Sequence, residues 1–471
     1  MVARGEHLRR KTRTLTAVVE KEHEKERVLA LLRLHGWNAT SFQILEEGFR
    51  YWFYGDAACV AYVDTGSAWV VAGAPIAPTS DLADVAARFT EVARAARRRV
   101  CFFATEQRFG ATVPLRTLHV GEQPVWDPAS WDATVKKTSS LKEQLRRARA
   151  KGVTVRRVPA SELRLGAGTR TKIEALIERW LGQRSMAPMG FLVDVQPFTF
   201  AEERQYFVAE HGSAIVGFLA VVPVYARNGW FLEDLLRAPD APNGTSEALV
   251  DAALRRAAEL GSSYATLGLA PMAGTSGWLR GVSRWSRALY DFTGVHAFKA
   301  KLRPNTWEPI YLSYPESSGP NRALYDSLAA FARGSFARFG VQTLLRGPAI
   351  VVRLLAVLLV PWTALLMLAG ATQFFPSPLV KWSWVGFDVA LAFALFALAS
   401  RWRPWLGLAL AAAVTADSAL TLLEVVVYNV PRAHDLFDVL VLLVAWLAPT
   451  FAAITLWGAV ARSRRAVSAI A

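Results

Sequence analysis

The chain has 471 residues and a mass of 51.8 kDa, and its length predicts about three domain-sized units. Fifty-four Lys and Arg against 39 Asp and Glu give a net charge of +15, which indicates an anionic partner: nucleic acid, anionic lipid or both. The presence of only two cysteines, Cys59 and Cys101, excludes a disulfide scaffold and a cysteine-based zinc site.

A first mixed unit is predicted at residues 28–138, after a charged segment, 1–27, that lacks the apolar core of a secretory signal. A short helix is predicted from Glu24 to Trp37. The pattern then predicts three strands of an antiparallel meander, a helix and a further strand: Phe49 to Tyr54, Cys59 to Asp64, Ala68 to Ala72, Leu82 to Arg97, and Arg99 to Ala104.

A second unit of the same kind is predicted at residues 139–318. Its predicted elements alternate between amphipathic helices and strands: Ser140 to Lys151, Val153 to Val158, Thr171 to Gln183, Gln205 to Ala209, Ala214 to Val224, Trp230 to Leu235, Ser246 to Leu260, and Tyr264 to Leu269. Two such units without a Gly-rich phosphate loop indicate α+β folds rather than a doubly wound nucleotide-binding fold.

The composition changes after a basic linker at residues 319–348. Five basic and five acidic residues balance between Ala349 and Val460, and three arginines follow, so +12 of the net charge lies on the first 348 residues. Residues 349–461 contain four apolar stretches close to the roughly 20 residues that cross a bilayer: about Ile350 to Ala371, Trp382 to Ser400, Trp405 to Tyr428, and Leu436 to Val460. These stretches predict four transmembrane helices, with residues 462–471 as a basic tail.

The loop charges predict the orientation of this block. Basic residues precede the first stretch, join the second to the third and follow the fourth, so the polar region and both termini are expected in the cytosol. Three acids, Asp388, Asp417 and Glu424, fall inside the predicted spans. Two interpretations stay open for them: a polar path for a lipid headgroup, or interhelical hydrogen bonds and hydrated positions near the interface.

The densest group of residues that could carry chemistry lies between Trp230 and Pro271. Alternation along a strand predicts that Asp234 lies on the opposite face from its neighbour Glu233. The turn Pro242-Asn243-Gly244 then leads into a helix, whose first N–H groups suit an anion or a developing oxyanion. The structural alternative is an Asx turn with a capped helix, and a surface ion pair of Asp234 with Arg237.

Further motifs extend this group and resemble a known family. They include, in chain order, Leu267-Gly268-Leu269-Ala270-Pro271, Leu289-Tyr290-Asp291-Phe292-Thr293-Gly294, Lys299-Ala300-Lys301 and Trp307-Glu308-Pro309. In this order, over about Val28 to Tyr314, they resemble the C-terminal catalytic domain of the bacterial phosphatidylglycerol lysyltransferases, which are aminoacyl-tRNA-dependent lipid aminoacyltransferases. The resemblance implies two tandem acetyltransferase-like (GNAT-type) units, here followed by the four-helix transmembrane bundle, in the bacterial cytoplasmic membrane.

The resemblance also implies the site residues. Asp234, Arg237 and Lys299 are expected to be catalytic, and Asn243, Gly244, Glu247, Lys301 and Arg303 to bind substrate. The expected partners are aminoacyl-tRNA as co-substrate, an anionic phospholipid and the membrane, with no cofactor and no metal. The basic helix would meet tRNA phosphates or lipid headgroups through Lys142, Arg146, Arg147, Arg149 and Lys151, although a solvated basic face is the alternative.

Two departures from the family pattern leave alternatives open. Gly73-Ala74-Pro75 stands where family members commonly have Gly-Asp-Pro, and the membrane block follows the polar region instead of preceding it. A second function, an acyl-CoA-dependent N-acyltransferase that makes an amino-acid lipid, is compatible with the same fold, but no clean pyrophosphate-binding loop is present. A third is a non-catalytic membrane protein that senses anionic lipid or RNA.

Overall fold

The computed structural model describes residues 20–184, 186–274, 292–346, 348–400, 403–433 and 436–468. Most of the predicted segment 1–27 and the motif residues Leu289 to Asp291 lie outside them. The chain forms two compact units: residues 1–183 with 188–336, and residues 184–187 with 337–471. The first unit is the polar, basic part of the chain, and the second is the apolar block. The domain boundaries drawn from the sequence stay a prediction.

The first unit is built on one mixed sheet of twelve strands, which confirms the α+β class. The strands in chain order are β1 Arg50–Tyr54, β2 Ala58–Asp64, β3 Ala68–Ala72, β4 Arg99–Thr105, β5 Arg116–Trp126, β6 Val153–Val158, β7 Gln205–His211, β8 Ala214–Val224, β9 Gly229–Arg237, β10 Tyr264–Thr266, β11 Ala270–Pro271 and β12 Thr306–Tyr314. Their order across the sheet is β1-β2-β3-β4-β12-β5-β10-β9-β8-β7-β6, with β11 paired to β5.

Helices cover the sheet of the first unit. They are α1 over 20–35, α2 Leu82–Ala95, α3 Gln107–Thr112, α4 Trp131–Lys137, α5 Ser139–Ala150, α6 Gly168–Gly182, α7 Thr245–Glu259, α8 Phe292–Lys301 and α9 Pro320–Phe331. The next helix, α10 Phe336–Arg346, begins at the last residue of the first unit and otherwise belongs to the second unit. Apolar side chains at helical spacing form the buried faces, such as Leu141, Leu145 and Ala148 of α5. These side chains share one core with β7 and β8.

The predicted meander is confirmed, because β1 pairs with β2 and β2 with β3, both antiparallel. The strand predicted from Tyr264 to Leu269 ends earlier, at Thr266. Gly268 has a φ of +67°, which takes the backbone out of the extended region, and its N–H donates to Thr266 Oγ1 at 3.0 Å. Cys59 and Cys101 are both buried, and burial raises the pKa of each thiol to about 12.

The second unit is a bundle of apolar helices: α11 Pro348–Met367, α12 Pro378–Ser400, α13 Pro404–Glu424 and α14 Leu436–Ser468. Within the described residues, three segments are long and apolar enough to cross a membrane, namely Pro378–Ala399, Pro404–Arg432 and Asp438–Ala461. The apolar part of α11, Leu354–Met367, is shorter. The predicted block of apolar helices is therefore confirmed, but within the described residues three of the four predicted transmembrane helices are long enough to span, and the first is a shorter apolar helix.

Candidate active site

A β-bulge on β9 places two acids beside each other. Ala220 of β8 pairs with Asp234, and the next residue, Val221, pairs with Leu232, so Glu233 is the extra residue on β9. A bulge interrupts the alternation of side chains along a strand and redirects them. As a result, the fields of Glu233 and Asp234 both act on one guanidinium, that of Arg204. Strict alternation, which predicts opposite faces for the two acids, does not describe this strand.

Arg204 is the centre of a buried polar cluster with three carboxyl groups. Its Nη1 pairs with Glu233 Oε2, and its Nη2 lies 3.4 Å from Glu46 Oε1. Glu46 follows the 3-10 helix Ala39–Leu45, which precedes β1. Its Nε donates to the Thr199 carbonyl at 2.8 Å. The Arg204 side chain is 0% exposed, and Asp234 is only 7% exposed. The buried guanidinium thus pairs with two acids, and Asp234 lies near enough for its charge to act on Arg204 as well. We call Glu46, Glu233 and Asp234 the acid cluster.

The acid cluster retains unused hydrogen-bonding capacity. Among the described residues, Glu46 Oε2, Glu233 Oε1 and Asp234 Oδ2 are buried without a hydrogen-bond partner. Burial raises the pKa of Asp234 and of Glu46 well above the usual range, repulsion from Glu233 adds to this, and Arg204 opposes it. Buried acceptors without donors are costly in a native fold, so these three oxygens require N–H or O–H donors that the described side chains do not supply.

The other residues predicted around Asp234 have different environments. Arg237 lies at the exposed end of β9, and within the described residues its side chain has no partner. Asn243 is exposed as well. Gly244 has a φ of +96° before α7, and a Cβ there would lie 2.4 Å from the Gln144 carbonyl of α5. Gly244 therefore allows the start of α7 to pack against α5, and only glycine fits there.

The two predicted lysines hold parts of the chain together. Lys301, at the end of α8, donates to Glu247 Oε1 in the first turn of α7 at 2.7 Å. Lys299 donates to the carbonyls of Leu267, Gly268 and Leu269 at 2.8, 2.8 and 2.9 Å. These contacts use all three protons of the ammonium group. Lys299 thus fixes the segment after β10, and it would have to give up one of these bonds to hold a phosphate or an oxyanion. Arg303, two residues beyond Lys301, is exposed with a φ of +54°.

The titration of Lys299 provides a stability test. Burial lowers its pKa from 10.5 to about 7. Between pH 7 and 10 the unfolded chain therefore binds this proton more tightly than the folded chain, so the contribution of Lys299 to stability rises with pH. We expect thermal unfolding at pH 7 and pH 9.5 to show wild type gaining stability relative to Lys299→Met as the pH rises. A difference that is independent of pH would contradict this environment.

The basic face predicted on α5 is exposed and lies next to the start of α7. Lys142, Arg146, Arg147, Arg149 and Lys151 all point away from the buried side of the helix. Glu143 accepts from Arg146 and Arg147 at 2.7–2.9 Å, and Arg149 lies 3.7 Å from Asp251. Within the described residues, Lys142 and Lys151 form no side-chain bond, so they are the least neutralised charges of this face.

A second, partly buried cluster contains Glu308 of the motif Trp307-Glu308-Pro309. Arg227 donates to both carboxyl oxygens of Glu308, at 3.0 and 2.7 Å, and to Glu106 at 3.2 Å. Its guanidinium also stacks 3.6 Å from the ring centre of Tyr264. Burial raises the pKa of Glu106 to about 7, and Arg227 opposes that rise. This cluster joins elements from both halves of the sheet, which indicates a structural role.

Sequence reasoning finds Asp234 but misses Glu46 and Arg204. The contact between Arg204 and Glu46 joins residues 158 positions apart, and no local pattern marks either of them as a site residue. The one signal in the sequence was the pair of adjacent acids, Glu233 and Asp234, on a strand that is otherwise apolar. Two neighbouring buried acids require a cation nearby, but the sequence does not say which one.

The chain has clear relatives. A sequence family described as phosphatidylglycerol lysyltransferase, C-terminal, matches residues 29–314. The phosphatidylglycerol lysyltransferase of Bacillus subtilis (strain 168) is 26% identical over an alignment of 319 residues that covers 64% of this chain and 36% of that protein. The chain thus spans about a third of the length of this curated relative.

Solved structures share the fold of the first unit. The C-terminal domain of a putative lysylphosphatidylglycerol synthetase from Agrobacterium fabrum has a TM-score of 0.58 at 22% identity, and covers 67% of this chain and 99% of its own. L-PGS from Bacillus licheniformis has a TM-score of 0.57 at 22% identity, with 66% and 97% covered. At this identity the likeness supports the fold, and it agrees with the fold that the sequence motifs imply.

Proposed function

Because this chain belongs to the phosphatidylglycerol lysyltransferase family through residues 29–314, we propose that it is a membrane-bound lipid aminoacyltransferase. It moves an amino acid from aminoacyl-tRNA to the hydroxyl group of a membrane lipid such as phosphatidylglycerol. The observation that carries this proposal is the acid cluster around Arg204, with buried oxygens that have no donor among the described residues. An ester-linked amino acid carries an ammonium group, which is the donor that such oxygens suit.

The reaction requires alignment and one proton transfer. The lipid hydroxyl oxygen forms a bond to the ester carbonyl carbon, and the bond to the ribose oxygen of tRNA breaks. The hydroxyl proton passes to a base and then to the departing ribose oxygen, so the base is regenerated. Asp234 is our candidate for this base or for the anchor of the substrate amine, since its raised pKa brings proton exchange closer to neutral pH.

Neighbouring groups have supporting roles in this proposal. The exposed Arg237 at the end of β9 is suited to a phosphate group of either substrate. Asn243 and the first N–H groups of α7 are suited to the oxyanion of the tetrahedral intermediate. Glu247, Lys301 and Arg303 lie at the junction of α7 and α8 and are proposed to bind substrate, whereas Lys299 positions the segment Leu267 to Leu269.

The basic face of α5 is proposed to bind tRNA or anionic headgroups. Replacing Lys142 and Lys151 together by glutamine should weaken tRNA binding and reduce the slope of log affinity against log salt concentration by about 1 to 2. Filter binding of tRNA at several salt concentrations measures this slope. Lys172→Gln, an exposed lysine on α6, is the matched control. An unchanged slope in the double variant would place the tRNA contact elsewhere.

The loop charges support a cytosolic position for the first unit and for both termini in a bacterial cytoplasmic membrane. In that orientation the site meets tRNA and the inner leaflet on the same side. A reporter enzyme that is active only in the cytosol, fused after Ala471, should be active in a bacterial host. An inactive cytosolic reporter with an active periplasmic one would reverse this topology.

The donor substrate distinguishes the proposal from its main alternative. The purified full chain is incubated with phosphatidylglycerol vesicles and charged tRNAs that each carry one labelled amino acid, and in parallel with labelled acyl-CoA and free amino acids. We expect label to become extractable into organic solvent only with aminoacyl-tRNA. Label that appears only with acyl-CoA supports an N-acyltransferase on the same fold, and label with neither donor supports a non-catalytic sensor.

A further inference from the structure

The second unit contains a cavity of about 430 Å³. Each of the four helices α11, α12, α13 and α14 contributes to its wall, which is formed mainly by leucine, valine, alanine and aromatic side chains. This volume lies within the range of about 300–1,000 Å³ that is typical of small-molecule sites. All residues that line the cavity belong to the second unit, whereas the acid cluster belongs to the first.

The polar groups of this cavity are mostly carboxyl groups, those of Asp388, Asp417 and Glu424. Asp388 is only 6% exposed, and within the described residues its side chain has no hydrogen-bond or ion-pair partner. Asp417 accepts one bond, from Thr421 Oγ1 at 3.3 Å. Glu424 accepts from Trp384 Nε1 at 3.1 Å, and its Oε1 is buried without a partner.

All charged side chains of this wall are acidic. None of the described residues that line the cavity is a lysine, arginine or histidine. An acid in a membrane-spanning segment is costly unless it is paired, and such residues usually face a bundle interior or cavity where they serve a function. Here three acids from α12 and α13 face one apolar space. Their six carboxyl oxygens have only two side-chain donors among the described residues, Thr421 and Trp384. A cation brought by a ligand would supply the missing donors.

We propose that this cavity binds an amphiphile that carries an ammonium group. Its ammonium group supplies N–H donors to the carboxyl groups of this wall, first of all to the unpartnered Asp388, and the apolar body packs against side chains such as Leu391 and Val414. An uncharged amphiphile would leave Asp388 unpaired, and an anionic one would be repelled. This inference does not rest on the proposed transferase activity, although an aminoacylated lipid belongs to the same chemical class.

Equilibrium binding to the full chain in phosphatidylcholine nanodiscs tests the proposal, with empty discs subtracted. The probes are radiolabelled dodecylamine and radiolabelled dodecanol, which have the same chain length. We expect saturable binding of dodecylamine, with dodecanol at least ten-fold weaker. Equal binding of the two probes, or no saturable binding of dodecylamine, would overturn the proposal. Displacement of dodecylamine by lysyl-phosphatidylglycerol identifies an aminoacylated lipid as an occupant, whereas no displacement restricts the site to simpler amines.

Variants of the acids link this binding to the cavity. Asp388→Asn preserves the shape of the side chain and should weaken dodecylamine binding at least ten-fold, as should Asp417→Asn. The matched control is Asp438→Asn, an acid of α14 that does not line the cavity. Wild-type binding in both cavity variants would refute the site. Transfer of amino acids to lipid should be unchanged in Asp388→Asn, so failure of this proposal and failure of the transferase proposal can be distinguished.

Discussion

Asp234→Asn is expected to lower the rate of aminoacyl transfer to lipid by about 10²- to 10⁴-fold, the range that a positioned acid or base contributes. The asparagine keeps the shape of the side chain but can neither accept the hydroxyl proton nor carry the charge that anchors an amine. Initial rates of label transfer from aminoacyl-tRNA into lipid measure the loss. Asp240→Asn, an exposed acid three residues beyond the end of β9, is the matched control and should have the wild-type rate.

The same substitution should leave the fold at least as stable. Because the pKa of Asp234 is raised in the folded chain, the unfolded chain ionises this carboxyl group first as the pH rises above about 4. Folding at pH 7 therefore carries a penalty that asparagine removes, so the unfolding temperature should stay equal or rise. A variant with the wild-type rate would remove Asp234 from the site, and a lower unfolding temperature would contradict the described environment.

Arg204→Met is expected to be the most destabilising change in the first unit. It removes the cation from a cluster in which Glu46 and Glu233 are 1% and 4% exposed. Removing one partner of a buried ion pair costs about 3–5 kcal/mol, because the remaining charge is left buried. Arg88→Met on α2 is the control, since Arg88 is exposed and its ion pairs with Asp84 and Glu91 contribute about 0–1 kcal/mol.

The cause of this loss can be tested by a combined variant. If unpaired acids destabilise Arg204→Met, then adding Glu46→Gln and Glu233→Gln should restore most of the unfolding temperature, which is measured by circular dichroism in detergent. A drop on the order of 10 °C is expected for Arg204→Met alone. No recovery in the combined variant would show that packing of the guanidinium over Phe42, rather than charge, dominates the loss.

The sequence predicts local structure in the first unit well, and it predicts long-range pairing poorly. Alternation and turn residues place strands such as Val153 to Val158 at their observed bounds. By contrast, β5 and β12 are not predicted, since Gly121, Pro124 and Pro309 interrupt their patterns. Their pairing along nine positions, and the insertion of β12 between β4 and β5, depend on contacts between distant parts of the chain.

The candidate site also contains residues that the sequence indicates and residues that only the structure shows. Asp234 can be found from the sequence because an acid on an apolar strand is unusual. The bulge at Glu233 and the cation at Arg204 arise from pairing with β8 and from tertiary packing, which no short motif encodes. For Lys299 the motif in the sequence identifies the residue. Only the structure shows that its ammonium group donates three hydrogen bonds to backbone carbonyls.

A double-label transfer measurement tests the central claim most directly. Charged tRNA labelled in its phosphates and, with a second isotope, in its amino acid is mixed with the full chain and phosphatidylglycerol vesicles. We expect the amino-acid label to move into the lipid phase and one uncharged tRNA to remain in the aqueous phase for each lipid modified. We expect Asp234→Asn to abolish most of this transfer. Deacylation of tRNA without label in lipid, or lipid labelling only from acyl-CoA, would contradict it.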